Sequence, residues 1–164
     1  MHTGKYNLLR RGWGPLEPFD RSVMEVLKQN GSYTHLVTDH SHYWEDGGAT
    51  YHNRYNSWEG FRGQENDCFV PSDILPEMPA PYCALSKTGK SLQQHYRNRT
   101  RQPTRETMPS VQTFQAGLDF LAEHKDRDNW FLQIEAFDPH EPFYVPEQYR
   151  KRYGLPDQET LFWP

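Results

Sequence analysis

The stretch THLVTDHSHYWEDGGATYHNRYNSWEGFR, Thr34 to Arg62, decides the fold. It opens as a β-prone segment around Leu36 and Val37, then turns polar at Thr38-Asp39. His40, His42, Glu45, Asp46 and two adjacent glycines follow within a few residues. Open α/β sheets build their sites this way, because ligands bind beyond the carboxyl ends of the strands. The stretch WFLQIEAFDPHEPF, Trp130 to Phe143, repeats the layout: a nearly continuous apolar run, then Asp138 and His140. The expectation is that the two strand ends face one pocket.

Working outward, Asp20 reads as an N-cap for a helix over 20–30, with Phe19 stapling onto Met24. Asn30-Gly31 stops that helix, and a strand follows from Tyr33 to Thr38. Residues 39–105 are polar and rich in Pro, Gly and aromatics; short turns and local strands belong inside so long a stretch, but the pattern does not place them. A second helix starts near Ser110, with Val111, Phe114, Leu118, Leu121 and Ala122 at helical spacing along one face. The strand from Trp130 to Phe137 comes next, and a short helix is predicted around Pro146 to Tyr153. The order helix, strand, excursion, helix, strand points to α/β architecture: part of a mostly parallel sheet flanked by helices. Two strands alone cannot bury both faces of such a sheet, so residues 1–164 are expected to form a single partial domain. At the N-terminal end, Tyr6, Leu8, Leu9 and Trp13 look designed to lie against folded structure.

Composition excludes several function classes. A net charge of −4 with eight histidines leaves no basic footprint for nucleic acid and no polybasic membrane patch. No apolar run approaches the ~20 residues of a membrane span, and the N-terminus carries no signal-like apolar region. Two cysteines, Cys68 and Cys83, allow one disulfide and do not fix a compartment.

Three motifs carry a family resemblance. His2-Thr3-Gly4-Lys5 resembles the end of the sulfatase signature, Cys-x-Pro-Ser-Arg followed by Thr-Gly-Arg/Lys. Gly31-Ser32-Tyr33-Thr34 with Thr38-Asp39-His40-Ser41-His42 resembles the family's Gly-Tyr-x-Thr lead-in and Gly-Lys-x-x-His block. Phe131-Leu132 through Phe137-Asp138-Pro139-His140-Glu141-Pro142-Phe143 resembles the strand and Pro-His turn that supplies a further histidine. Over most of residues 1–155 the chain is similar to bacterial members of the sulfatase family, in the alkaline phosphatase superfamily.

The resemblance implies a sulfuric ester hydrolase acting on a small sulfated ester. Its nucleophile would be a formylglycine made from a cysteine about seven positions before Met1. A divalent cation, usually calcium, would be held by residues before that cysteine and beyond Pro164, so this chain supplies no metal ligands. On this reading the chain is a catalytic-domain fragment without its nucleophile segment or its C-terminal metal segment, and is inactive alone. His42 matches the histidine beside the nucleophile, and His140 the one that contacts the sulfate or leaving group. The family lysine falls on Asp39 or His40; His40 keeps a donating group there and is the favoured match. Histidine suits these roles because its unperturbed pKa of about 6.5 lies near working pH. Cys68-Phe69-Val70-Pro71-Ser72 mimics the signature but has an extra residue and Asp73 where arginine belongs.

Other features admit plainer readings. Arg54, Arg62 and Trp44 are candidate substrate contacts, though arginines in polar stretches more often form solvated faces. Trp44, Tyr51, Tyr55 and Trp58 suit either a cleft or ordinary core. Glu45-Asp46-Gly47-Gly48 is by default a turn. The Arg97, Arg99, Arg101 and Arg105 cluster suits an anion or a partner. A zinc site from His35, His40, His42 and His52 matches no standard spacing. A phosphoester or phosphonate hydrolase of the same superfamily, and a noncatalytic binding or assembly module, are the alternative functions.

Overall fold

The computed structural model describes residues 2–6, 14–74, 83–84, 90–154 and 162–163. These divide into two compact units. The first comprises residues 1–61 and 113–136, the second residues 62–112 and 137–164. Leu8, Leu9 and Trp13 lie outside the described residues, and Tyr6 is 90% exposed.

The first unit is built on a three-stranded, all-parallel sheet. Its strands are β1 (Tyr33–Thr38), β2 (Ser57–Gly60) and β4 (Trp130–Glu135), in the order β2-β1-β4. β1 pairs with both neighbours: His35 lies opposite Ser57 and Leu132, and Thr38 opposite Gly60 and Glu135. Every residue of β1 after Tyr33 is buried. Val37 and Leu36 are fully enclosed because alternate side chains of a central parallel strand meet cover on opposite faces.

On one face Leu36 joins Met24, Tyr43 and Tyr55 in a core cluster, with Leu27, Trp44, Tyr51 and Phe131 around it. Met24 and Leu27 come from helix α1 (Val23–Gln29). The cap of α1 is Ser22 rather than Asp20. Met24 N–H donates to Ser22 Oγ, and Ser22 N–H donates to the carboxylate of Glu25, a reciprocal capping box. Asp20 is buried instead, accepting hydrogen bonds from Glu17 N–H and Lys5 Nζ. Phe19 is 74% exposed and is not part of the core cluster that holds Met24.

On the other face lies helix α3 (Pro109–Glu123). Proline at its first position gives up only an N–H that has no helical partner. The side it turns to the sheet is not the large apolar stripe. Thr113, Ala116, Gly117 and Phe120 are buried, whereas Phe114, Leu118 and Leu121 are exposed. Close approach explains the choice. A Cβ on Gly117 would stand 2.4 Å from Ile134 Cδ1, so only small residues let the helix sit this near β4.

The second unit contains helix α2 (Lys90–Arg99), helix α4 (Glu147–Arg152) and a two-residue parallel pairing of β3 (Cys83–Ala84) with β5 (Phe162–Trp163). Its interior is unusually polar. Leu92 is buried beside Gln94, His95 and Asn98 from the same helix. Asn98 Nδ2 donates to Asp67 O at 2.8 Å, its Oδ1 accepts from Gln94 Nε2 at 3.0 Å, and Gln94 Nε2 donates also to Val70 O. These bonds hold the 62–72 loop to α2 without much apolar area. Cys68 is an exposed free thiol, and the side chain of Cys83 lies outside what the structure describes.

The face assignment is testable by denaturation. Leu36→Ala should lower unfolding free energy by about 2–5 kcal/mol. Phe114→Ser, at an exposed position, should stay within about 0.5 kcal/mol of the parent. Urea unfolding followed by circular dichroism reads both.

Candidate functional site

In the first unit the carboxyl ends of β1 and β4 carry a polar cluster. Glu135, the last residue of β4, sits opposite Thr38 in the sheet register. Its carboxylate accepts a 2.6 Å hydrogen bond from the Tyr43 hydroxyl and one from Thr38 Oγ1, and lies 3.4 Å from His40 Nδ1. Tyr43 reaches it because the chain after β1 tightens into a 3₁₀ turn, Ser41–Tyr43, which swings the ring back under the strand ends. Burial would raise the Glu135 carboxyl, but the bonds from His40 and Tyr43 together outweigh it and hold the group below its ordinary range. Burial, reinforced by the Glu135 charge, pushes the Tyr43 phenol well up, so it remains a donor.

This cluster opens on a cavity of about 590 Å³ lined by His2, His40, Tyr43, Tyr51 and β4. His2 stacks on Tyr51 with ring centroids 4.7 Å apart, and burial lowers its pKa. His2 leads directly into the Thr3-Gly4-Lys5 turn. There Gly4 takes a φ of +65°, and Lys5 N–H donates to Thr3 Oγ1 while its ammonium pairs with Asp20. Tyr51 is fixed in turn by donating to Gly14 O at 2.8 Å.

The expected site residues fall in different surroundings. His40 lines the cavity. His42 touches the edge of the His40 ring, with centroids 5.2 Å apart, and pairs with Glu45 at 2.8 Å. Arg54 is paired with Glu25 at 2.9 Å. Trp44 packs on the core cluster and lies so close to Gly60 that a Cβ there would meet its ring at 2.5 Å. Tyr51 and Tyr55 join the same core cluster, and Trp58 is 40% exposed. His35 and His52 are separately engaged, with Ser57 and Glu59 for the first and with the rings of Tyr43, Trp44 and Trp58 for the second.

The second unit holds His140 and Arg62. The His140 imidazole Nδ1 contacts the carboxylates of Glu65 and Glu141, the latter at 2.9 Å, and its ring lies against Phe137. Glu65 is 3% exposed and has a positive φ, an uncommon conformation for a residue with a side chain. Gln64 Nε2 donates to Asp138 Oδ1 at 2.6 Å, so neighbouring loop residues grip both ends of the Asp-Pro-His turn. Arg62 forks onto Asp67 with two 2.6 Å bonds. Arg99 is half-buried, donates to Gly63 O and lies over the Tyr144 ring. Burial pushes His95 down to about 3, helped by the Arg99 cation and opposed by the Glu65 carbonyl.

Sequence reasoning did not find Glu135, Tyr43, His2 or Glu65. Glu135 was legible as a polar interruption in an apolar strand. Glu65 left no such signal, since nothing local marks a carboxylate destined for burial. Among the described residues no group of three or more His, Cys, Asp or Glu is arranged to hold a metal ion. No family model, no curated protein and no solved structure matches this chain. No described helix is long and apolar enough to cross a membrane.

Two pH effects follow. His95 stays neutral in the fold but ionises near pH 6.5 when unfolded. Stability should therefore hold above that pH and fall by about 1 kcal/mol per pH unit as pH drops towards 3. His95→Leu should flatten that slope in thermal melts across the range. Glu135 behaves as a carboxylate with a depressed folded pKa. Its stabilisation relative to Glu135→Gln should be complete well above the unfolded carboxyl value of about 4.3 and should be lost as pH falls through the lower folded value. Paired melting curves of the parent and the variant check this.

Proposed function

We propose that this chain carries the histidine-bearing part of a sulfuric ester hydrolase site of the sulfatase kind. The observation that supports this best is the common cavity of His2 and His40. One adjoins the Thr-Gly-Lys tripeptide that resembles the end of the sulfatase signature. The other stands in the block that resembles the family's lysine and histidine segment. On the resemblance, the nucleophile belongs a few residues before His2, and the cavity is where an ester bound to it would lie.

Within that cavity the side chains have separate tasks. The Glu135 carboxylate, itself held by Tyr43 and Thr38, orients the His40 imidazole from its Nδ1 side. An oriented imidazole donates to or accepts from an ester oxygen without first reorganising, which is how a positioned group lowers a barrier. Tyr43 keeps its proton and serves as a fixed donor. His42 supports His40 by edge contact rather than by lining the cavity. On the resemblance alone, His140, which belongs to the second unit, matches the family histidine that contacts the sulfate or the leaving-group side. A formylglycine upstream would supply the attacking oxygen, and a cation held by residues outside this chain would supply charge for the sulfate oxygens.

The test uses the protein extended through the upstream signature and its downstream metal segment, carrying formylglycine. Hydrolysis of p-nitrophenyl sulfate is compared with that of p-nitrophenyl phosphate. His40→Ala, His42→Ala and His140→Ala should each lower kcat/KM, by about 10²–10⁴-fold where the histidine transfers a proton. Parent-level sulfate turnover in all three variants overturns the assignment. Preference for the phosphate ester replaces sulfatase with phosphoester hydrolase.

A further inference from the structure

The face of the sheet covered by α3 holds a second constellation, independent of the cavity at the strand ends. His35 and Ser57 are register partners on β1 and β2, and Glu59 stands two residues beyond Ser57 on the same face. Ser57 Oγ lies 2.6 Å from His35 Nδ1 and 2.8 Å from the Tyr33 hydroxyl. His35 Nε2 lies 3.4 Å from Glu59 Oε1.

The donor directions are fixed by elimination. A carboxylate only accepts, so the proton of a neutral His35 belongs on Nε2, facing Glu59. Nδ1 is then an acceptor and takes the Ser57 hydroxyl proton. With that proton committed, Ser57 Oγ accepts from Tyr33. The bonds Tyr33→Ser57→His35 have one consistent polarity, and Glu59 stands beyond Nε2 at an ion-pair distance rather than in a hydrogen bond, so the set contains a nucleophile, a base and a carboxylate placed to hold the base once it is protonated.

The surroundings favour this use. His35 is 6% exposed, and its ring lies flat on Phe120 of α3, with centroids 4.9 Å apart and planes 3° from parallel. That stacking holds the imidazole in one orientation. Burial, partly offset by Glu59, lowers the His35 pKa, so the base form is the one present at neutral pH. The constellation lines a cavity of about 330 Å³, which Asp119, Glu123 and His124 of α3 also border.

We propose that Ser57 is an activated nucleophile that accepts an acyl group from small neutral or cationic carboxylic esters. In the forward step Ser57 Oγ bonds to the ester carbonyl carbon while its proton moves to His35 Nδ1. The imidazolium is held by Glu59. The tetrahedral adduct then expels the alcohol, whose oxygen takes the proton back from Nδ1. Acyl-Ser57 and a free alcohol result, with no oxidant or reductant involved. Water, deprotonated by the same imidazole, releases the acid and restores the serine. The Tyr33 hydroxyl is the donor nearest the reacting oxygens. The cavity volume limits the acyl group to a few carbons, and the carboxylates of Glu59, Asp119 and Glu123 disfavour an anionic one. That preference separates this site from one serving sulfate esters.

The test incubates the chain as it stands with p-nitrophenyl acetate and maps acetylation by peptide mass analysis. The exposed Cys68 thiol is itself reactive, so the map must be read at Ser57 and in a Cys68→Ser background as well. One acetyl group should appear on Ser57 with release of p-nitrophenolate, and p-nitrophenyl hemisuccinate should react more slowly. Ser57→Ala should lose the adduct. Glu59→Gln changes a half-exposed side chain and should keep the parent's circular dichroism and melting temperature, yet slow acetylation of Ser57 by roughly 10–100-fold. Acetylation confined to lysines or Cys68 overturns the proposal. So does a Ser57 acetylation rate that is the same in Glu59→Gln as in the parent.

Discussion

Parallel pairing on both sides of β1 is the constraint from which the first unit follows. A strand with neighbours on both edges must have both faces covered, because its side chains alternate between them. Leu36 draws α1 and the Tyr43 and Tyr55 rings to one face, while His35 and Val37 turn to the face of α3. Parallel strands also end together. The carboxyl ends of β1 and β4 therefore deliver Thr38, His40 and Glu135 to one place, although nearly a hundred residues separate them in sequence.

That geometry separates two kinds of polar group. At the strand ends, Glu135 is satisfied by donors from the turn that follows β1, and the cluster faces open space. In the body of the sheet, His35 is enclosed by Phe120, and its Nδ1 is bonded across the strands to Ser57. A buried polar group with no partner costs free energy, so neighbouring strands and the turn after β1 supply bonds to Glu135 and to His35 Nδ1. The second unit solves the same problem differently. The Gln94 and Asn98 amides and the Arg99 guanidinium, all on α2, donate to the backbone carbonyls of Val70, Asp67 and Gly63, and a polar interior replaces an apolar one.

Much of the first unit was legible in the sequence because it is local. The run Tyr33 to Thr38 is bounded by Gly31 and Asp39 and formed the strand expected of it. α3 also formed where periodicity placed it, and in the second unit α4 formed within the 146–153 stretch expected to be helical. β2 was not legible, since Ser-Trp-Glu-Gly has neither length nor alternation and is a strand only because β1 offers it an edge. The helix face was misleading for a related reason. Phe114, Leu118 and Leu121 form the strongest apolar stripe, but the distance to Ile134 selects Ala116 and Gly117. Ser22-Val23-Met24-Glu25 carried a capping box in plain view, and Asp20 drew attention from it. At the site, His40 and His42 were legible as a pair. Which of the two faces the cavity was settled by the turn at Ser41–Tyr43, which no spacing rule specifies.

Glu65 places two demands on one codon. Its backbone occupies the left-handed region, with a φ of 49°, where a side chain costs about 1–2 kcal/mol and glycine costs nothing. Its carboxylate is the partner of His140. Glycine would relieve the backbone but delete the contact, and aspartate, which tolerates this region better, would draw the carboxylate back by one methylene. Holding the imidazole and relaxing the main chain are therefore competing demands at this position.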